Sequence, residues 1–167
     1  MKVRPAGILA AVVVIACSHP MAGQSGSHTT GCTEINWPAL QSSDPVYRDA
    51  VALAQTLADN GFTVQCIAPS KMVGTFEGQA GAALYKTNRG SFEALFLRNL
   101  RTFDGLQIVE REESGRHLYS FAGHPKPWPA NLIDASRPLH FIKNLNRLIV
   151  TQEKELSTQL RPILAGR

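Results

Sequence analysis

From residue 44 onward the apolar positions first recur at the spacing of a helix. Val46, Ala50, Leu53, Ala54 and Leu57 share one face, while Arg48, Asp49, Gln55, Thr56 and Asp59 fall largely on the other. Asp44 is placed to cap this helix, Pro45 suits its first position, and Asn60-Gly61 ends it. The period then changes to two. Phe62, Val64 and Cys66 alternate along a strand running to Ala68. Residues 69–80, with Pro69, Gly74 and Gly78, read as a connection with room for a helical turn at Ser70–Val73.

Three hairpins follow. Ala82–Tyr85 and Phe92–Leu97 flank Thr87-Asn88-Arg89-Gly90. Leu106–Arg111 and His117–Phe121 flank Glu112-Glu113-Ser114-Gly115. Leu139–Ile142 and Arg147–Val150 flank Lys143-Asn144-Leu145-Asn146. Gly and Asn supply the backbone freedom tight turns need, and the arms are rich in aromatic and branched residues. Glu153–Leu164 predicts a last helix with Leu156, Leu160 and Ile163 on one face, interrupted by Pro162. The expected fold is α+β: a mostly antiparallel sheet of about seven strands built from hairpins, with an N-terminal and a C-terminal helix packed on one face.

Two stretches stand outside this pattern. Thr75-Phe76-Glu77-Gly78 is echoed by Thr102-Phe103-Asp104-Gly105, which suggests either a duplicated hairpin unit or a shared turn with the two phenylalanines as core plugs. Ala122–Pro138 holds four prolines and Trp128 between the second and third hairpins. Alternating prolines favour an extended path, which would present His124, Lys126 and Trp128 with little entropy left to lose on binding. These three are the partner-binding candidates. The competing reading makes Trp128 a lid over an open sheet end.

The N-terminus changes the picture of where this domain works. Met1-Lys2-Val3-Arg4 precedes an unbroken apolar run of nine residues, Ile8–Ala16. That is a signal-peptide pattern and is too short to span a bilayer core of roughly 30 Å. Val14-Ile15-Ala16-Cys17 resembles the lipobox of bacterial lipoproteins. The resemblance implies a lipidated Cys17 at the start of the mature chain; ordinary cleavage further on, by residue 23, is the alternative. Residues 18–31 then serve as a flexible tether and 32–167 as a single domain. The expected location is extracytoplasmic: periplasmic, anchored at the outer envelope, or secreted. With Cys17 lipidated or removed, Cys32 and Cys66 remain as an even pair, which reads as a disulfide in an oxidising compartment.

Charge and composition narrow the partner. Without Lys2 and Arg4 the chain carries 15 basic and 13 acidic residues, interleaved through its middle. That is a solvated mixed surface rather than the one-sign stripe of a nucleic-acid binder. No nucleophile elbow, phosphate-binding loop, dinucleotide fingerprint or haem-attachment motif occurs. No catalytic residue, metal ligand set or cofactor is assigned. Ser120, His124 and Asp134 can be grouped on paper, and Glu77, Glu93, Asp104 and Glu110 are carboxylates by type alone. The first expectation is a non-enzymatic envelope or secreted protein that binds another protein or an envelope polymer, touching the membrane only through its lipid. A small-molecule carrier with an apolar cavity lined by Leu84, Phe96 and Tyr119 is the alternative, and a small extracytoplasmic hydrolase a third.

Overall fold

A computed structural model describes residues 39–98, 102–128 and 133–165. The leader, the tether, Cys17 and Cys32 lie outside them. The elements run α1 (Tyr47–Asp59), β1 (Val64–Pro69), β2 (Gln79–Thr87), β3 (Gly90–Leu97), β4 (Leu106–Glu113), β5 (Arg116–Gly123), β6 (Ile133–Ala135), β7 (His140–Asn144), β8 (Arg147–Thr151) and α2 (Lys154–Ala165). The class is α+β with antiparallel pairing throughout. Among the described residues the strands number eight rather than about seven, and they form two sheets, β1-β2-β3-β8-β7 and β4-β5-β6.

Burial explains the division. β3 and β8 are buried along most of their length on both faces, so they belong in the middle of a sheet covered on both sides. β4 is solvent-exposed beyond its first residues and cannot sit there. The chain therefore leaves β3, builds the smaller sheet, and returns to place β8 against β3 with Glu93 opposite Val150 and Leu95 opposite Leu148.

Two cores result, one on each face of the larger sheet. Ala50, Leu53, Ala54 and Leu57 of α1, with Leu156, Leu160 and Leu164 of α2, pack on Ala83, Tyr85, Phe92, Ala94, Phe96, Ile142 and Ile149. On the opposite face Ala82, Leu95, Leu97, Leu148 and Val150 meet Phe76, Phe103 and Leu106, with Ile108, Phe121 and Phe141 closing the cluster. Helices, large sheet and small sheet thus form three layers. The two echoed phenylalanines are both core plugs and touch edge to face at 5.4 Å. No helix among the described residues is long and apolar enough to cross a membrane.

Tyr85 lies at the centre of the helix-side core. It stacks on Phe92 at 4.7 Å and donates its hydroxyl to the Ala50 carbonyl at 2.8 Å. Burial raises the phenol far above its ordinary pKa, with nearby Arg147 opposing and Asp49 adding slightly. The folded chain therefore holds this proton to higher pH than the unfolded chain does. The associated stability is whole below the unfolded value of about 10 and is lost as pH rises above it. Tyr85→Phe is expected to cost about 1 kcal/mol at neutral pH and to flatten the alkaline fall. Denaturation midpoints followed through the alkaline range check both.

Local departures from the sequence reading have local causes. α1 starts at Tyr47, with Val46 before it and no side-chain cap. The Asp44 carboxylate is committed to the preceding turn, accepting the Gln41 N–H at 2.9 Å. The 70–73 stretch holds no helical turn. Glu112 and Glu113 belong to β4 rather than to its turn, which is Ser114-Gly115, both at positive φ. The proline-rich stretch contains a strand, β6, that the pattern did not announce.

Candidate functional site

Between the two sheets lies an open groove of about 860 Å³. Its floor is one row across the larger sheet, because the register sets Leu84 beside Glu93 and Glu93 beside Val150. One wall is the 71–75 loop. The other is β6 and the residues after it, Ile133 to Arg137.

Each wall is held by identifiable bonds. Ser70 donates its N–H to the Ala82 carbonyl at 3.1 Å and its hydroxyl to the Glu93 carboxylate, while its Oγ accepts the Met72 N–H at 3.0 Å. Gln79 ties the loop from beneath. Its Oε1 accepts the N–H groups of Thr75 and Phe76 at 2.8 and 3.2 Å, and its Nε2 donates to the carbonyls of Met72 and Gly81 at 2.7 and 3.2 Å. On the far side β6 pairs with β5 through Tyr119↔Ile133 and His117↔Ala135, and Arg116 Nε meets Asp134 Oδ1 at 2.6 Å. Among the described residues no strand lies beside the other long edge of β6.

A polar chain buttresses this wall. Tyr119 donates to Glu110 Oε1 at 3.0 Å and accepts the Leu139 N–H at 2.6 Å; His117 Nδ1 meets the same carboxylate oxygen at 2.8 Å. Burial raises the Tyr119 phenol, the Leu139 N–H opposes, and Glu110 adds to the rise.

The charges of the groove are separated by depth. Glu93 lies on the floor, and Glu153 stands at its end, where Oε1 accepts the Ser91 N–H at 3.0 Å. Asp134 and Arg116 neutralise each other. Lys71 and Arg137 are exposed at the rims and make no ion pair among the described residues. Glu93 is the sole acidic residue in the five strands of the larger sheet.

The partner-binding candidates stand behind one wall. Residues 126–128 run beside 75–77: the Glu77 N–H donates to the Lys126 carbonyl at 2.8 Å, Phe76 bridges Pro127, and the Trp128 N–H donates to the Thr75 carbonyl at 3.2 Å. The Lys126 ammonium lies 3.7 Å from Glu77. His124 is exposed, and Trp128 is 47% exposed. The segment is thus fastened to the fold rather than free-standing, and residues 129–132 lie outside the described ones. Cys66 is buried on β1.

Other sequence groupings come apart. Ser120 leans on the Val109 carbonyl at 3.5 Å while Asp134 is paired with Arg116, so neither meets His124 as a triad would require. Leu84, Phe96 and Tyr119 do not share a cavity: Leu84 is on the groove floor, Phe96 is under the helices, and Tyr119 is under the small sheet. Among the described residues no group of three or more metal-ligating side chains gathers.

Sequence reasoning missed Gln79, Glu153 and the groove role of Glu93. One signal was available for Glu93. It shares a strand face with Leu95 and Leu97, where period two calls for an apolar residue. The chain matches no protein-family model, no curated protein and no solved structure.

Proposed function

We propose that this chain is an exported binding domain of the cell envelope whose groove receives an extended segment of a partner polypeptide, paired along the outer edge of β6. What supports the reading is the coincidence, among the described residues, of a strand edge with no strand beside it and an open trough lined by that same strand. Unpaired edges present alternating N–H and C=O groups, and strand addition is a common way to capture extended peptides. The trough walls are fixed by Gln79 and by the Tyr119–Glu110 chain, so little order remains to be imposed on binding. Trp128, behind the 71–75 wall, extends the surface such a partner can touch.

Export belongs to the same proposal: the signal peptide lies within residues 1–23 and is cut before Cys17, which becomes the lipid anchor, with residues 18–31 as tether and Cys32–Cys66 as a disulfide. Cys66 is not a free thiol, which favours the bridge. Binding rather than turnover is favoured because Ser70, Gln79, Tyr119 and the Arg116–Asp134 pair are committed to holding the walls.

The test uses a displayed library of random ten-residue peptides selected on the purified chain. Selected peptides are expected to slow amide exchange at Ile133–Ala135. A footprint confined to 124–128 would replace the groove with the proline-rich segment as the docking surface. Failure to enrich any peptide that slows exchange at β6 would sink the reading.

A further inference from the structure

We infer that the groove chooses among extended segments by a basic side chain, Arg or Lys, seated on Glu93; this rests on the strand-docking reading above. The position of Glu93 is the first ground. It lies on the sheet face that otherwise carries Ala82, Leu95, Leu97, Leu148 and Val150, flanked in its row by Leu84 and Val150. A carboxylate on such a floor stands in a poor solvent, where an apolar residue would serve packing as well or better.

The second ground is unused bonding capacity. An ionised carboxylate has about four acceptor sites. Among the described residues Glu93 accepts one hydrogen bond, from Ser70, through Oε2. The opposite oxygen remains for an incoming donor. Glu153, bound to the N–H of Ser91 two residues along the same strand, places a second negative charge beside the trough.

The third ground is the depth of the charges. Three basic and three acidic side chains line the trough, so net charge decides nothing. Arg116 is cancelled by Asp134. Lys71 and Arg137 stand exposed at the rims, where water screens them and pairs are worth little. A charge met on the half-buried floor is desolvated by the segment covering it, and there electrostatic complementarity sets specificity. Acid below and base above therefore fit a segment with a basic side chain directed inward. Arg suits the floor better than Lys, because its planar fork can engage both carboxylate oxygens.

Selection of the same ten-residue library, repeated on the wild-type chain, on Glu93→Gln and on Glu153→Gln, reads this directly. Peptides that protect Ile133–Ala135 are expected to share one Arg or Lys position. Their affinity should fall at least about tenfold with Glu93→Gln and less with Glu153→Gln. The side-chain amide introduced by Glu93→Gln can still accept the Ser70 hydroxyl, and a thermal midpoint confirms that the variant folds. Replacing the shared basic residue of the peptide by norleucine gives the same loss without touching the protein. Groove-bound peptides lacking a shared basic position, sharing an acidic one, or indifferent to both replacements would overturn the inference while leaving strand docking intact. Absence of any β6 footprint would remove both.

Discussion

Phe76→Ala should lower the stability of the chain by about 3–5 kcal/mol, the range for deleting a buried phenyl ring. Phe76 is 1% exposed and is the joint at which three parts of the chain meet. Its ring stands edge to face with Phe103 at 5.4 Å, from the approach to β4, and with Phe121 at 5.3 Å, on β5. Its N–H is held by Gln79, and its backbone bridges Pro127. Removing the ring leaves a void that rigid strands on both sides cannot close. It also strips the edge-to-face contacts, each worth about 0.5–1.5 kcal/mol beyond burial. Domains of this size are stable by about 5–15 kcal/mol, so the loss is a large fraction of the whole. Chemical denaturation is expected to show a lower midpoint with unchanged slope. A cost below about 1 kcal/mol would mean that the small sheet does not pack on the large one as described, and the groove between them would lose its basis.

The second large effect concerns the proposed Cys32–Cys66 bridge. Such a bond would close a loop of 35 residues and remove unfolded-state freedom worth roughly 3–4 kcal/mol on the chain-entropy account. Cys32→Ser, Cys66→Ser and mild reduction are each expected to lower stability by that amount. Intact-mass measurement of native material should find the leader gone, the two thiols oxidised together, and the first residue carrying lipid. Material with the leader attached and both thiols reduced would end the export proposal. A cleaved, oxidised chain without lipid would remove Cys17 as anchor and leave the rest standing.

Much of the fold was legible because periodicity reports which face of an element is covered. The apolar stripe of α1 and that of α2 are buried as their spacing required, although Leu164 rather than Ile163 completes the latter. Hairpin positions were legible from the Gly and Asn residues between the arms, although the left-handed backbone of the third turn falls on Leu145 rather than on Asn144 or Asn146, and that of the second on Ser114 as well as Gly115. Edge-to-edge order was not legible. The near-continuous apolar run of β3 fits cover on both faces but does not say that its neighbour lies beyond residue 146, and a single sheet was the simplest assembly of the hairpins. β6 escaped because three residues, Ile133-Asp134-Ala135, are too few to display a period. The groove escaped for the same reason as the strand order: its floor and walls come from segments distant in the chain, and no local pattern brings them together. Glu93 was visible as a carboxylate, but its position on the floor depends on β8, the strand that completes the row.

The pairing of β3 with β8 also dictates an order of assembly. β3 ends at Leu97 and β8 begins at Arg147, and the chain between them must be gathered before the two can meet. α1 and the β1–β2–β3 meander close through short-range contacts, whereas β8, its hairpin partner β7 and α2 join across a long separation, at higher entropic cost and lower speed. Until they arrive, β3 is an uncovered border with phenylalanine and leucine on alternate sides, the kind of surface through which half-folded molecules stick to one another. A polypeptide that stops short of Arg147 loses β8 and α2 together and is therefore left with that border permanently open, so premature termination there harms the large sheet as well as the helix layer.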